Sequence, residues 1–175
     1  MATTLISVEE YLRSSYEPDC DYVDGEVKER NLGELEHATI QSALVGLFLQ
    51  NRMIWGIRAL AEWRVQVKAT RFRVPDLTVI RRDFQPEPIL RVPPLLIVEV
   101  LSPEDSLPRL KQRITDYLEF GTEHIWVIDP TTRSAYNADA HGFHEPADGS
   151  ATGTLTIPGT PIHCQLAELW AELDF

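Results

Sequence analysis

Two acidic residues stand where an acid is costly to place. Glu99 lies inside Leu95-Leu96-Ile97-Val98-Glu99-Val100-Leu101, a run opened by Pro93-Pro94 and closed by Ser102-Pro103. A continuous leucine and β-branched run of this kind predicts a strand buried on both faces. An ionised carboxylate there is strongly disfavoured unless a cation or a metal answers it. Asp76, in Arg73-Val74-Pro75-Asp76-Leu77-Thr78-Val79-Ile80, is presented in a similar way 23 residues earlier. Two acids near the ends of adjacent strands can build a hard-cation site, because Mg²⁺ takes a few carboxylate oxygens and keeps several waters. The backbone carbonyl of Val100, beside Glu99, is a convenient third oxygen. What this pair lacks is a cation to orient water or to steady charge developing on a phosphate.

The elements that must position these acids can be read along the chain. Ser7-Val8-Glu9-Glu10 is a capping box that opens a short helix through about Arg13. Asp21 to Lys28 reads as a β-hairpin turning at Asp24-Gly25. From about Glu34 to Met53 apolar residues recur at near-helical spacing, predicting a long core helix. Strands are expected over Ile57 to Lys68, Phe72 to Ile80 with Asp76, and Pro94 to Leu101 with Glu99. A helix follows from Ser106 to Phe120, with Gly121 as its C-cap. Beyond it come a strand over Glu123 to Ile128, weaker antiparallel strands at Ser134 to Ala138 and Gly153 to Ile157, and a closing helix at Gln165 to Leu173. This order predicts a mixed α/β sheet flanked by helices.

The chain has 175 residues and a net charge of −11, which argues against coating nucleic acid by bulk electrostatics. Its distribution is uneven. Leu60 to Thr115 carries ten Lys/Arg against seven Asp/Glu, so the two acids lie in the one net-cationic stretch. The length fits a single domain spanning 1–175, with no repeat and no linker. No apolar run approaches the roughly 20 residues of a membrane span, and Met1-Ala2-Thr3-Thr4-Leu5-Ile6 lacks the start of a signal peptide. Cys20 and Cys164 are isolated, which suggests neither zinc nor a disulfide framework and fits a reducing cytoplasm.

Taken in order, Val74-Pro75-Asp76, Ile97-Val98-Glu99-Val100-Leu101-Ser102-Pro103, Lys111, Tyr117, Gly121 and Trp126-Val127-Ile128-Asp129-Pro130 resemble one branch of the PD-(D/E)XK nuclease superfamily. It is the bacterial Uma-type family of restriction-endonuclease-like proteins. Ser7 to Leu12, Tyr22 to Glu26 and His37 extend the resemblance upstream; it thins after about Arg133. It implies a restriction-endonuclease-like fold with an N-terminal helix and β-hairpin. It also implies a Mg²⁺- or Mn²⁺-dependent phosphodiesterase site acting on DNA, with Asp76, Glu99 and the Val100 carbonyl as metal ligands. The superfamily's E-x-K departs here, since Leu101 stands two after Glu99. Lys111 on the following helix is the residue at the matching place, so the resemblance makes Lys111 the catalytic cation. Arg109 and Arg113 flank it and are candidates for contacting phosphates of the nucleic acid. A homodimer is expected, because a domain of this size offers little surface for gripping a duplex. No organic cofactor is implied.

Each residue also has a plainer reading. Glu99 could be a buried ion-pair member, answered by Lys111 or by an arginine such as Arg73. Asp76 could cap a turn after proline, and helix lysines such as Lys111 are usually solvated. His37 could approach the site, although capping or packing is simpler. His141 and His144 form H-x-x-H near Asp139 without a third ligand, a weak case for zinc. Two rival functions follow: an inert binding or assembly module on the same scaffold, and a hydrolase of smaller phosphodiesters.

Overall fold

The structure, a computed structural model, describes residues 5–30 and 34–175. Residues 1–4, on which part of the signal-peptide reading falls, lie outside the described residues. Ser7 caps α1 (Val8–Arg13) by accepting a hydrogen bond from the Glu10 N–H, as its capping box requires. β1 (Asp21–Val23) and β2 (Glu26–Lys28) form the expected hairpin. Both turn residues take positive φ, 50° at Asp24 and 101° at Gly25, the backbone that suits a tight two-residue connection. α2 (Leu35–Asn51) is the long core helix.

The next two expected strands each divide. Ile57 to Lys68 becomes β3 (Ile57–Ala61) and β4 (Val65–Lys68), which belong to different sheets. The break falls at Glu62, whose φ of 52° turns the chain out of the extended path. Phe72 to Ile80 becomes β5 (Arg71–Arg73) and β6 (Leu77–Arg81), again in different sheets. Val74-Pro75-Asp76 makes this second crossing, and Pro75 has no N–H to offer a ladder. β7 (Leu96–Val100) is buried at every position, as its composition demands. α3 (Leu107–Phe120) carries Pro108 in its first turn and ends at Gly121, with φ of 104°. A Cβ at Gly121 would also come within 3.1 Å of Pro93. Then come β8 (Ile125–Asp129), β9 (Ser134–Asp139), β10 (Gly142–His144), β11 (Thr154–Thr156), β12 (His163–Gln165) and α4 (Leu166–Ala171). β10 and β12 carry too few residues to announce themselves in the sequence.

The main sheet runs β10-β9-β8-β7-β6-β3, antiparallel except for β7 and β8, which α3 joins as a parallel crossover. Side-chain alternation divides its faces. Leu77, Val79, Leu96, Val98, Val100, Trp126 and Ile128 pack with α2 and α4. Ile80, Ile97, Ile125 and Val127 pack with Leu110, Ile114 and Tyr117 of α3 and with Val65 and Val67 of β4. The smaller sheet, β2-β1-β5-β4, is joined to α3 by charge. Arg73 on β5 donates from Nη1 to Asp21 of β1 at 2.7 Å, and from Nε and Nη2 to Asp116 of α3 at 2.9 and 2.6 Å. Asp21 also accepts from the Val74 N–H at 2.9 Å, and Asp116 from Arg71 at 2.8 Å.

All three members of this triad are buried. Removing the central cation leaves two buried carboxylates without it, so Arg73→Met is expected to lower stability by about 3–5 kcal/mol in urea unfolding at neutral pH. Arg91→Ala, at an exposed pair with Glu87 3.4 Å away, should cost no more than about 1 kcal/mol. Equal losses in the two variants would show that the triad does not tie the small sheet to α3.

Candidate active site

Glu99 points to the α3 face, since its strand neighbour Ile97 packs there while Val98 and Val100 face α2. The Tyr117 hydroxyl donates to Glu99 Oε1 at 2.5 Å. Arg113 Nε lies 3.4 Å from Glu99 Oε2 without forming a hydrogen bond, and its Nη2 donates to Asp105 at 3.2 Å. Burial is the largest influence on Glu99 and pushes its carboxyl up, to about 7. Arg113 and the Tyr117 hydroxyl pull the other way, but the neighbouring Asp76 charge adds to the rise.

Asp76 has the same degree of burial and the opposite outcome. Its Oδ1 accepts from Arg30 Nη2 at 2.6 Å and lies 3.4 Å from His37 Nε2. Its Oδ2 accepts from the Val100 N–H at 2.8 Å, which fixes it against the residue after Glu99. Gln41 of α2 donates to its backbone carbonyl at 3.0 Å. Burial pushes the Asp76 carboxyl up, yet His37, Arg30 and the Val100 N–H outweigh it and hold the group below its ordinary value. His37 reciprocates: burial drags its imidazole down, and the Asp76 carboxylate lifts it above the ordinary histidine value. One acid is thus well compensated and the other is not.

The two acids identified from the sequence are brought together, and His37 joins them. Lys111 is not brought in. It is exposed and lines a depression with Ile114, Thr115, Leu118 and the β9–β10 hairpin. At about 100° per residue, Lys111 stands about 120° around α3 from Tyr117, whereas Arg113 stands only about 40° away. That periodicity is readable in the sequence. Arg109 and Arg113 line a cleft of about 140 Å³ beside the acids, together with Lys28, Arg30, Arg73 and Asp105. Arg30 is a site residue that no sequence motif marked. It follows the hairpin and reaches Asp76 across 46 positions of chain.

Among the described residues, no three His, Cys, Asp or Glu side chains are grouped to hold a metal. Asp139 instead accepts from the His141 and Gly142 N–H groups and contacts His144 at 3.0 Å, an exposed turn. For Mg²⁺ one or two carboxylates suffice, with waters completing the shell. The donor set at Asp76 and Glu99 fits that chemistry: two buried carboxylates, near enough for the charge of Asp76 to raise Glu99. The Val100 carbonyl leaves β7 on the same edge as the Val100 N–H that Asp76 holds, because both groups of a strand residue point one way.

The family described as "Uma2: Putative restriction endonuclease" matches residues 8–162. The chain belongs to this family. Among solved structures, a "putative nuclease belonging to DUF820" from Anabaena variabilis superposes with a TM-score of 0.83 at 22% identity. The match covers 96% of this chain and 99% of that one, so this Uma2-family chain shares the fold of that protein. A DrdV–DNA complex determined by cryoEM aligns with a TM-score of 0.45 and 14% identity, over 79% of this chain and 11% of that one. No curated protein matches. Among the described residues, no helix is long and apolar enough to cross a membrane.

The contrast between the acids predicts a pH signature in metal-free protein. Native Glu99 holds its proton to about 7 and the unfolded chain only to about 4.5, so the native state binds more protons between these values. This group's contribution to stability is therefore complete below about 4.5 and is lost as pH rises to about 7. Glu99→Gln keeps an acceptor for Tyr117 and removes the titration. In EDTA, its unfolding midpoint in urea should gain on the wild type across that window and then run parallel. A difference independent of pH would show that Glu99 is already ionised throughout.

Proposed function

We propose that this Uma2-family protein is a divalent-metal-dependent endonuclease that hydrolyses DNA phosphodiester bonds at the Asp76–Glu99 pair. The observation that carries the proposal is Glu99 itself, buried on a central strand, 3% exposed, and left short of compensation beside a second acid. Such perturbed, converging acids mark functional sites more often than scaffolding. Asp76 and Glu99 would hold Mg²⁺ or Mn²⁺, with the Val100 carbonyl as a third oxygen. A cation there would act as a Lewis acid toward a phosphate oxygen and lower the pKa of a bound water.

The remaining tasks fall to the chain's own residues. Tyr117 pins one oxygen of Glu99, leaving Oε2 on the side where Arg113 stands. Arg113 takes the role that the family pattern gives Lys111: a guanidinium keeps its charge at any working pH and supplies it at a fixed place beside Glu99. Asp105 orients it from the far side. Arg109 and Lys28, on the rim of the same cleft, would contact flanking phosphates and set the register of the nucleic acid without reading its sequence. The local arginines thus offset, near the site, the repulsion that the chain's overall charge imposes on DNA.

One observation favours an inert binding module instead. Arg30 and Arg113 already answer Asp76 and Glu99, and a self-contained buried ion network needs no metal. Plasmid cleavage with Mg²⁺ or Mn²⁺ separates the readings. Asp76→Ala and Glu99→Ala should each abolish cleavage. Arg113→Met should slow it by about 10²–10³-fold, the cost of removing one stabilising group from a developing anion. Lys111→Ala should leave it unchanged. Cleavage that survives loss of either acid would move the chemistry elsewhere, and wild-type protein that neither cleaves nor binds Mn²⁺ in calorimetry would establish the inert module.

A further inference from the structure

We infer that Arg30 is an internal counter-ion for the metal site: in the metal-free protein it occupies Asp76, and it gives way to Glu62 when a divalent cation enters. The inference rests on the metal-binding role proposed for Asp76 and Glu99. Arg30 Nη2 sits 2.6 Å from Asp76 Oδ1, so the guanidinium covers an oxygen that a cation would need. Its second arm, Nη1, already reaches Glu62 Oε1 at 3.3 Å. Glu62 is a loose seat, 56% exposed, whereas Asp76 is 4% exposed. The guanidinium therefore bridges a buried acid and a solvated one, and a rotation about its outer torsions can exchange one for the other.

The geometry around the two acids supports a seat that is vacated rather than a permanent bridge. Asp76 keeps three other partners when Arg30 leaves: His37 at 3.4 Å, the Val100 N–H on Oδ2 at 2.8 Å, and Gln41 on its carbonyl at 3.0 Å. Its position is thus held by the backbone of β7 and by α2, independently of the arginine. Arg30 in turn lines the cleft with Lys28, Arg109 and Arg113, and with Asp21, Glu29 and Asp105, so a displaced guanidinium stays among charged partners. Glu62 is fixed to the same place by its backbone, whose N–H donates to the Asp76 carbonyl at 3.4 Å while its φ is held at 52°. Unlike a lysine, an arginine can serve two carboxylates at once through separate nitrogens.

Calorimetric titration of Mn²⁺ tests this without recourse to cleavage. Arg30→Gln should bind Mn²⁺ about tenfold more tightly than the wild type or better, because one competing charge a few ångströms from the ion is gone. Arg30→Lys, which keeps the charge, should stay near the wild-type affinity. The metal-free melting temperature of Arg30→Gln should fall, and saturating Mn²⁺ should restore it. Should the variant fail to fold, the wild type still decides: NMR of the Arg30 Nε–H should show the side chain shifting and gaining mobility as Mg²⁺ saturates. Asp76→Asn should abolish Mn²⁺ binding in parallel. If it does not, the metal site and this inference fall together. If it does, yet Arg30→Gln binds no more tightly, or the Arg30 signal is rigid and unshifted at saturating Mg²⁺, the inference alone is overturned.

Discussion

A buried guanidinium holds this structure in register. Arg73 has Asp21 of the small sheet on one side and Asp116 of α3 on the other, and the Val74 N–H is tied to the same Asp21. Leu110, Ile114 and Tyr117 seat α3 against the apolar face of the sheet. Directional bonds to a planar cation fix its orientation there. The face of α3 that carries Asp116 also carries Arg113 and Tyr117, so fixing the first fixes the other two against Glu99. The charge network at the site is thus a continuation of the one that docks the helix.

Within the site, two carboxylates of equal burial are given different surroundings. Asp76 collects a guanidinium, an imidazole and a backbone N–H, which together outweigh its desolvation. Glu99 receives a hydroxyl and a guanidinium at 3.4 Å, which do not. The Glu99 environment is not one expected of an acid whose only task is to stabilise the fold, because there a carboxylate left short of charge is better replaced by an apolar residue. The asymmetry makes sense for a site that must take up a further cation.

Much of this was legible in the chain. The position of Glu99 within an aliphatic strand was enough to mark it as a buried acid, and a resemblance extending from Ser7 to Pro130 pointed to the fold. α1, the hairpin, α2, β7 and α3 carry strong local signals: a capping box, Asp24-Gly25, helical periodicity, an unbroken apolar run and Gly121. The two strand divisions did not. Glu62 takes a positive φ without being glycine, and Phe72 and Leu77 read as parts of one strand although they serve different sheets. Arg30 and Arg113 show why site cations are harder to read than site acids. A charged base on a surface helix or after a hairpin is ordinary, and only the tertiary structure shows which one turns inward.

The two divided strands have a consequence of their own. Chain segment 62–64 and segment 74–76 both pass between the sheets, and Asp76 rides on the second of these passages while Glu99 belongs wholly to the central ladder. What joins the passage to the ladder is the Val100 N–H on Asp76 Oδ2, one hydrogen bond from the residue next to Glu99. A substitution in the aromatic cluster of Tyr11, Tyr22 and Phe72, which packs on the small sheet beside Asp21, would thus reach Asp76 before it reached Glu99.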